Sequence, residues 1–227
     1  MDEVFDNLMW HDLTGSHAGF TVGDGVARRY VDGFAPFAGF ADPGRPDFDA
    51  LGCLCDPGTP VFLGIPQGEM AVPRGWSVLF EARARQMIWE GGLPCDDEEL
   101  GAVRLGAMHV PQVLELAGIA QPGPFGPRTI ELGEWFGVFE DGVLVAMAGE
   151  RMHASHFREV SGIATLPSHR GRGLARRLTE KLIRRELLRG ETPFLHVMNE
   201  NEAALRLYDA MGFRTRREVA LRVVARS

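Results

Sequence analysis

The chain has 227 residues and a mass of 25.0 kDa, the size of one large domain or two small ones. Hydrophobic residues make up 45% of the sequence, so a buried core can hold the fold without disulfides or a structural metal. The formal net charge of -7 argues against general nucleic-acid binding, because that function needs a basic surface to neutralise phosphates.

Cysteine and histidine usage gives no sign of a metal or disulfide framework. Cys53, Cys55 and Cys95 match no known zinc spacing, and the seven histidines lack a metalloprotease motif, so no metal site is predicted. The acidic N-terminus has no apolar signal-peptide segment, and no apolar run reaches the length of a membrane span. A cytoplasmic protein without a membrane partner is therefore expected.

The first half of the chain contains strand-like segments but no chemical motif. VFLGI (61–65) and WSVLFE (76–81) have the composition of strands. The segment GGLPCDDEELG (91–101) combines glycines, a proline and four consecutive acids, which is typical of an exposed connection. We therefore predict two units, residues 1–95 and residues 96–227.

The second half alternates between strand and helix patterns. In chain order, the sequence first predicts a strand at 102–108, a helix from Pro111 to a cap at Gly118, a loop at 121–129 and a hairpin that turns at Asp141 and Gly142. It then predicts a strand at 158–166, a helix from Leu174 to Gly190, a strand at 193–198, a short helix capped by Gly212 and a last strand at 219–225. This order is that of a mixed α/β domain.

The most informative segment is PSHRGRGLARRL (167–178), where a strand meets a helix. The first N–H groups of a helix have no internal partner and its dipole is positive there, so such a turn can hold an anion. Gly171 and Gly173 allow a ligand to approach the backbone, and Arg170 and Arg172 add positive charge. No Walker lysine is present, and Arg176 breaks the Rossmann fingerprint. At this point, a glycine-containing turn that binds no ligand remains an alternative interpretation.

Two segments together carry a family resemblance. The turn R-G-R-G-L-A satisfies the pattern R/Q-x-x-G-x-G/A and resembles the pyrophosphate loop of the GCN5-related N-acetyltransferase (GNAT) superfamily. The segment after the next strand resembles the family's second coenzyme A segment, N-x-x-A-x-x-L-Y-x-x-x-G-F, with matches at Asn201, Ala204, Leu207, Tyr208, Gly212 and Phe213. Residues 122–152 and 156–175 are similar to the FR47-like branch of this superfamily.

The resemblance implies a fold and a function. The fold is the mixed α/β sheet of a GNAT acyl-CoA N-acyltransferase in residues 96–227, with residues 1–95 as a degenerate GNAT-like lobe. The function is that of an N-acetyltransferase, which transfers the acetyl group of acetyl-CoA directly to a primary amine of a small molecule, amino acid or peptide. A non-catalytic acyl-CoA sensor and an enzyme that uses longer acyl groups remain alternatives. A monomer and a homodimer are both open.

The resemblance also assigns residues to roles. It places the cofactor on a strand end, the glycine turn and the second segment: Ile163, Ala164, Thr165, Arg170, Gly171, Arg172, Gly173, Leu174, Ala175, Arg176, Asn201 and Tyr208. Tyr208 is the candidate general acid, because a phenol is protonated at neutral pH. Glu159 is the candidate general base, with a pKa expected to rise through burial. Glu150, His153, His156 and a chain of waters are rival bases.

The acceptor site is the least specified part of this interpretation. By analogy with the family it lies over the sheet, next to the loop that precedes the hairpin. Phe125, Arg128 and Trp135 are therefore the candidate lining residues, and Arg128 is suited to pair with a carboxylate of an amino-acid acceptor. Fold alone does not determine a substrate, so the sequence leaves the acceptor open.

Overall fold

The computed structural model of this chain describes residues 3–65 and 70–227. Its strands within those residues are β1 (Thr21–Gly23), β2 (Ala27–Tyr30), β3 (Phe37–Phe40), β4 (Val61–Ile65), β5 (Trp76–Trp89), β6 (Val103–Arg104), β7 (Trp135–Glu140), β8 (Val143–Ala154), β9 (Phe157–Thr165), β10 (Thr192–Met198) and β11 (Phe213–Arg226). Its α-helices are α1 (Glu3–Asp6), α2 (Leu8–Thr14), α3 (Phe48–Gly52), α4 (Val110–Ala120), α5 (Leu174–Leu188) and α6 (Glu202–Met211).

The strands form one 11-stranded sheet in the order β1-β2-β3-β4-β11-β5-β10-β9-β8-β7-β6. The mixed α/β fold predicted from the sequence is thereby confirmed. β5 comes before the predicted boundary between residues 95 and 96, yet it lies between β11 and β10 and pairs antiparallel with both. The sheet is therefore continuous across the two predicted units.

Helices cover both faces of the sheet. On one face, α5 and α6 bury Leu178, Leu182 and Tyr208 against the strands. On the other face, α1 and α2 bury Phe5 and Leu13 in a second cluster. α4 covers a separate cluster beside β7, β8 and β9. The side chains of a strand alternate between the two faces, so each strand in the centre contributes to both layers.

β9 and β10 separate at the centre of the sheet. They pair in parallel only at the start of both strands, from Thr192 opposite Phe157 to Phe194 opposite Glu159. Further along, β9 has a bulge against β8, and Gly162 adopts a φ of +61°. A Cβ atom at Gly162 would lie 2.4 Å from the ring of Trp135, so only glycine fits there.

Most predicted elements of the second half are confirmed, and two are wrong. Asp141 and Gly142 form the hairpin turn with φ of 49° and 78°, and Gly212 caps α6 with φ of 119°. The strand predicted at 102–108 is limited to the two residues of β6, an edge strand that pairs only with β7. α4 also continues past Gly118 to Ala120, which still packs against the cluster under this helix, and Gln121 caps it with a left-handed backbone.

Among the described residues, no helix combines the length and hydrophobicity needed to cross a membrane.

Candidate active site

A cavity of about 800 Å³ opens where β9 and β10 diverge. Residues 160–163 of β9 and 195–198 of β10 form its two sides. The loop 121–125 after α4 borders it on one face of the sheet, and Ala204 and Tyr208 of α6 reach it from the other. A gap between two strands, reachable from both faces, suits an extended ligand whose reactive end meets a second molecule.

The part of the cavity below α1 and α2 is mostly apolar, although Asn7 and Arg217 also line it. Its lining there includes Phe5, Leu8, Met9, Phe37 and Phe62. The first three come from the N-terminal segment and the other two from β3 and β4, so residues of the first half complete a site that the second half begins. Sequence reasoning found no chemistry in that half, because single apolar residues carry no motif.

The charged side chains among the described lining residues are all positive. Among the described lining residues there is no aspartate or glutamate, and the permanent charges are those of Arg151 and Arg217. Arg151 is paired with Glu159 and Arg217 with Asp6, in each case at 2.8 Å. The described part of the lining therefore offers no carboxylate to a second cationic group of a ligand.

The glycine turn has the geometry of an anion site. Gly171 and Gly173 both have φ of +77°, which other residues rarely adopt, and a Cβ atom at either position would meet nothing within 4 Å. The open space above the turn means that these glycines are not required by packing. They lead directly into α5, whose 15 residues direct the first amides and the positive end of the helix dipole towards this space.

The side chains around the turn divide into exposed and buried groups. Arg170 and Arg172 are exposed, and Arg172 makes a two-bonded ion pair with Glu140. Leu174 is buried in the core and anchors the turn, Ala175 is half-buried, and Arg176 lies 3.7 Å from Glu180. The turn therefore leaves open space for an anion beside backbone amides and an exposed guanidinium.

Of the three residues predicted at the strand end, only Ile163 is among the described residues of the cavity lining. Ile163 lines the cavity, but Ala164 packs into the cluster under α4 and Thr165 lies beyond the described lining. The lining begins instead at Val160, because β9 leaves β10 directly after Glu159. The part of β9 that borders the cavity is thus residues 160–163.

Three residues of the second predicted segment line the cavity: Asn201, Ala204 and Tyr208. Asn201 accepts a hydrogen bond from the amide of Ala204 at 3.1 Å, which begins α6, and both residues border the cavity. Tyr208 is 7% exposed, lines the cavity and rests edge-on against Phe213. Burial raises the pKa of Tyr208 to about 12, so the phenol keeps its proton throughout the neutral range.

Glu159 is buried as predicted, but its pKa moves in the opposite direction. Burial by itself raises the pKa, yet the charge of Arg151 and the hydrogen bonds from His196 and Arg151 outweigh it and lower the pKa to about 2. Arg151 donates two hydrogen bonds of 2.8 and 2.9 Å to this carboxylate. The expected rise was wrong, because sequence could not show a guanidinium on the neighbouring strand.

Of the predicted acceptor residues, Phe125 lines the cavity. Trp135 is 1% exposed and supports Phe125 edge-on, with ring centroids 5.1 Å apart. Arg128 is paired with Glu131 and lies over the ring of Phe34. Neither Trp135 nor Arg128 belongs to the part of the lining that the structure describes.

The rival bases lie elsewhere. Glu150 is buried against Arg189, His153 lies 3.6 Å from Glu191, and His156 is exposed. None of these three candidates is among the described residues of the cavity lining.

Three polar residues at the divergence were missed by sequence reasoning. Arg151, Gln86 and His196 all line the cavity, and His196 Nδ1 lies 2.8 Å from Glu159 Oε1. The only available signal was a histidine inside the apolar strand that leads to Asn201. Among the described residues, no group of three or more His, Cys, Asp or Glu side chains is arranged to hold a metal ion.

Comparisons with known proteins agree with this geometry. The profile of the family described as FR47-like protein matches residues 135–223. A crystal structure from Novosphingobium aromaticivorans DSM 12444, assigned to the GNAT acetyltransferase family, is 39% identical, with 98% of each chain covered and a TM-score of 0.89. The structure of a GCN5-related N-acetyltransferase from Kribbella flavida has the same fold at 20% identity, covering 96% of this chain and 94% of its own, with a TM-score of 0.60.

One curated relative matches over a short segment. N-alpha-acetyltransferase RimI of Mycobacterium tuberculosis is 42% identical over 55 residues, which is 24% of this chain and 34% of that protein. The chain thus matches about a third of the length of this relative.

Proposed function

Because the chain belongs to the GNAT family of N-acetyltransferases, we propose that it transfers the acetyl group of acetyl-CoA directly to the primary amine of an acceptor with an apolar body. The observation that carries this proposal is the cavity between β9 and β10, with Tyr208 on one side of the sheet and an apolar chamber on the other. Such a gap brings an extended thioester and an amine together in one complex.

Acetyl-CoA supplies an activated acetyl group when bound. In the proposal, residues 170–176 hold its pyrophosphate through the first amides of α5 and through Arg170. The backbone of residues 160–163 binds the pantetheine arm, and Asn201 borders the same path. Tyr208 donates its proton to the departing sulfur, a role that its buried and protonated phenol supports.

The lining restricts the acceptor class. A polyamine or an aminoglycoside carries several positive charges, and the described lining has no carboxylate to pair with them. Phe5, Phe37 and Phe62 instead offer apolar contact to a hydrocarbon or aromatic group. We therefore propose a monoamine with an apolar body, or the free amine of a peptide that begins with an apolar residue.

The first experiment is calorimetric titration with acetyl-CoA, followed by assay of thiol release with three probes. The probes are phenethylamine, the tripeptide phenylalanyl-glycyl-glycine, and spermidine. We expect acetyl-CoA to bind and either of the first two probes to be acetylated at a much higher kcat/KM than spermidine. Preference for spermidine would contradict the proposed acceptor class.

The same experiment separates the alternatives. If acetyl-CoA binds and no probe is acetylated, the non-catalytic acyl-CoA sensor is favoured. Faster turnover with octanoyl-CoA than with acetyl-CoA would identify an enzyme for longer acyl groups. If acetyl-CoA does not bind, the proposed function is rejected.

A further inference from the structure

We propose that His196 is the general base of this enzyme, and that Glu159 acts as a positioning residue that holds the imidazole. The inference rests on the proposed function, since it concerns the proton of the acceptor ammonium. It begins from one juxtaposition: His196 lies in the cavity lining on β10, between Glu159 of β9 and Gln86 of β5.

The hydrogen bonds determine which nitrogen carries the proton. The carboxylate of Glu159 can only accept, so His196 Nδ1, at 2.8 Å from Oε1, is the donor. His196 Nε2 lies 3.2 Å from the side-chain nitrogen of Gln86, which can only donate. The neutral imidazole therefore has its lone pair on Nε2. An entering ammonium would replace the long contact with Gln86.

The strand alternation places acid and base on opposite faces of the sheet. Leu195 and Val197 belong to the cluster that contains Tyr208, whereas Phe194 belongs to the cluster around Phe5. His196 lies edge-on to Phe194, with ring centroids 5.7 Å apart, and so faces the apolar chamber. The base is on the side where the amine would enter, and the acid is on the other side of the gap.

The charges around the imidazole come from several strands and from the N-terminal segment. Glu159 of β9 is paired with Arg151 of β8, and Arg216 of β11 donates to Gln86 Oε1 at 3.3 Å. Asp6 of α1 lies 3.9 Å from Arg216. Adjacent Arg217 is paired with the same carboxylate. The positive charges of these groups therefore at least balance the two carboxylates. In the proposal, the role of Glu159 is to orient the imidazole ring through its hydrogen bond to Nδ1.

The proton count of the reaction closes with these two side chains. His196 Nε2 takes one proton from the acceptor ammonium, and the nitrogen lone pair then forms the C–N bond as the C–S bond breaks. Tyr208 gives its proton to the leaving sulfur. The nitrogen then loses its second proton to solvent, and Tyr208 takes up a proton from solvent. The proton on His196 passes to solvent, which restores the resting state.

The test compares His196→Gln with His153→Gln, a matched histidine beside a carboxylate but outside the described lining. With whichever amine probe the wild type acetylates, we expect H196Q to lose at least about 100-fold in kcat, the usual contribution of a general base. The calorimetric affinity for acetyl-CoA should remain within about threefold. H153Q should retain the wild-type kcat.

The pH profile distinguishes a base from a structural role. In wild type, kcat should level off at a lower pH than in H196Q, whose kcat should keep rising towards the ammonium pKa of the probe, about 8 for the tripeptide and about 10 for phenethylamine. Added imidazole should restore part of the rate of His196→Ala. Glu159→Gln should lower kcat with little change in KM and should weaken the preference for the Nδ1–H tautomer.

A measurement without turnover completes the test. Long-range ¹⁵N–¹H NMR of the wild type at pH 8 should show His196 protonated at Nδ1. Protonation at Nε2, or an H196Q kcat within threefold of wild type, would overturn the base assignment while leaving the acetyltransferase proposal intact. If the wild type acetylates none of the probes, both proposals fail.

Discussion

Arg172 donates two hydrogen bonds, of 3.0 and 2.6 Å, to the carboxylate of Glu140. Glu140 ends β7, while Arg172 lies between the two glycines of the turn, so this pair joins the hairpin to the proposed pyrophosphate site. The hydrogen bond from Arg172 lowers the pKa of Glu140, which is therefore ionised at neutral pH. An incoming pyrophosphate would compete with this carboxylate for the guanidinium.

The competition gives the first prediction. Glu140→Gln should tighten acetyl-CoA binding by up to about fivefold, because an exposed ion pair is worth no more than about 1 kcal/mol. Charge reversal of Arg170 and Arg172 together should weaken binding by more than about tenfold. Glu202→Gln, which removes the exposed partner of Arg206 on α6, is the control that should leave calorimetric affinity unchanged.

A pair of glycines tests the turn itself. Gly173 and Gly190 have φ of +77° and +76°, and a Cβ atom at either would meet nothing within 4 Å. Alanine should therefore cost the same stability at both positions, about 1–2 kcal/mol, through the left-handed backbone alone. Acetyl-CoA affinity should fall only for Gly173→Ala. Equal affinity of the two variants in calorimetry would remove the turn from the binding site.

The two tyrosines of the chain have separable roles. Tyr208→Phe should reduce kcat by at least about tenfold without a comparable loss of acetyl-CoA affinity, since only the transferred proton is removed. Tyr30 is buried and donates to Asp12 at 2.5 Å, in a network with His17. Tyr30→Phe should instead lower stability by about 1–3 kcal/mol and retain kcat. Thermal melts and steady-state kinetics on both variants check this contrast.

Glu186 of α5 is a buried acid whose effect on stability depends on pH. Both its carboxylate oxygens lack a hydrogen-bond partner among the described residues, and burial raises its pKa well above the ordinary 4.5, with the charge of Glu150 adding to the rise. The folded state then retains a proton that the unfolded state loses, so stability falls as pH rises above 4.5. Glu186→Gln should be more stable than wild type at pH 7 and equal to it near pH 4.

Glu159 should change the pH dependence of stability in the opposite direction. Its pKa is lowered to about 2, so its stabilising effect is complete above the ordinary 4.5 and is lost as pH falls through 2. Glu159→Gln should cost roughly 3 kcal/mol at neutral pH, because it leaves Arg151 buried without a counter-charge. The difference from wild type should shrink in denaturant titrations between pH 4.5 and pH 2. A constant difference would show that the ion pair is not formed.

Local sequence determined the elements that depend on a few neighbouring residues. The hairpin at Asp141 and Gly142, the start of α5 after the glycine turn and the cap at Gly212 all follow from backbone preferences. The same holds for the geometry of the glycine turn, because the free amides of a helix end and two glycines lie within six residues. Those features could be placed correctly from the pattern alone.

The identity of the base depended on contacts that no local pattern records. Gln86 and His196 are 110 positions apart, and they meet because β5 is inserted beside β10. Arg151 reaches Glu159 only through the pairing of β8 with β9. Electrostatic interaction depends on distance through space and on burial, so the protonation of Glu159, and with it the proposed function of His196, was decided by the order of the strands.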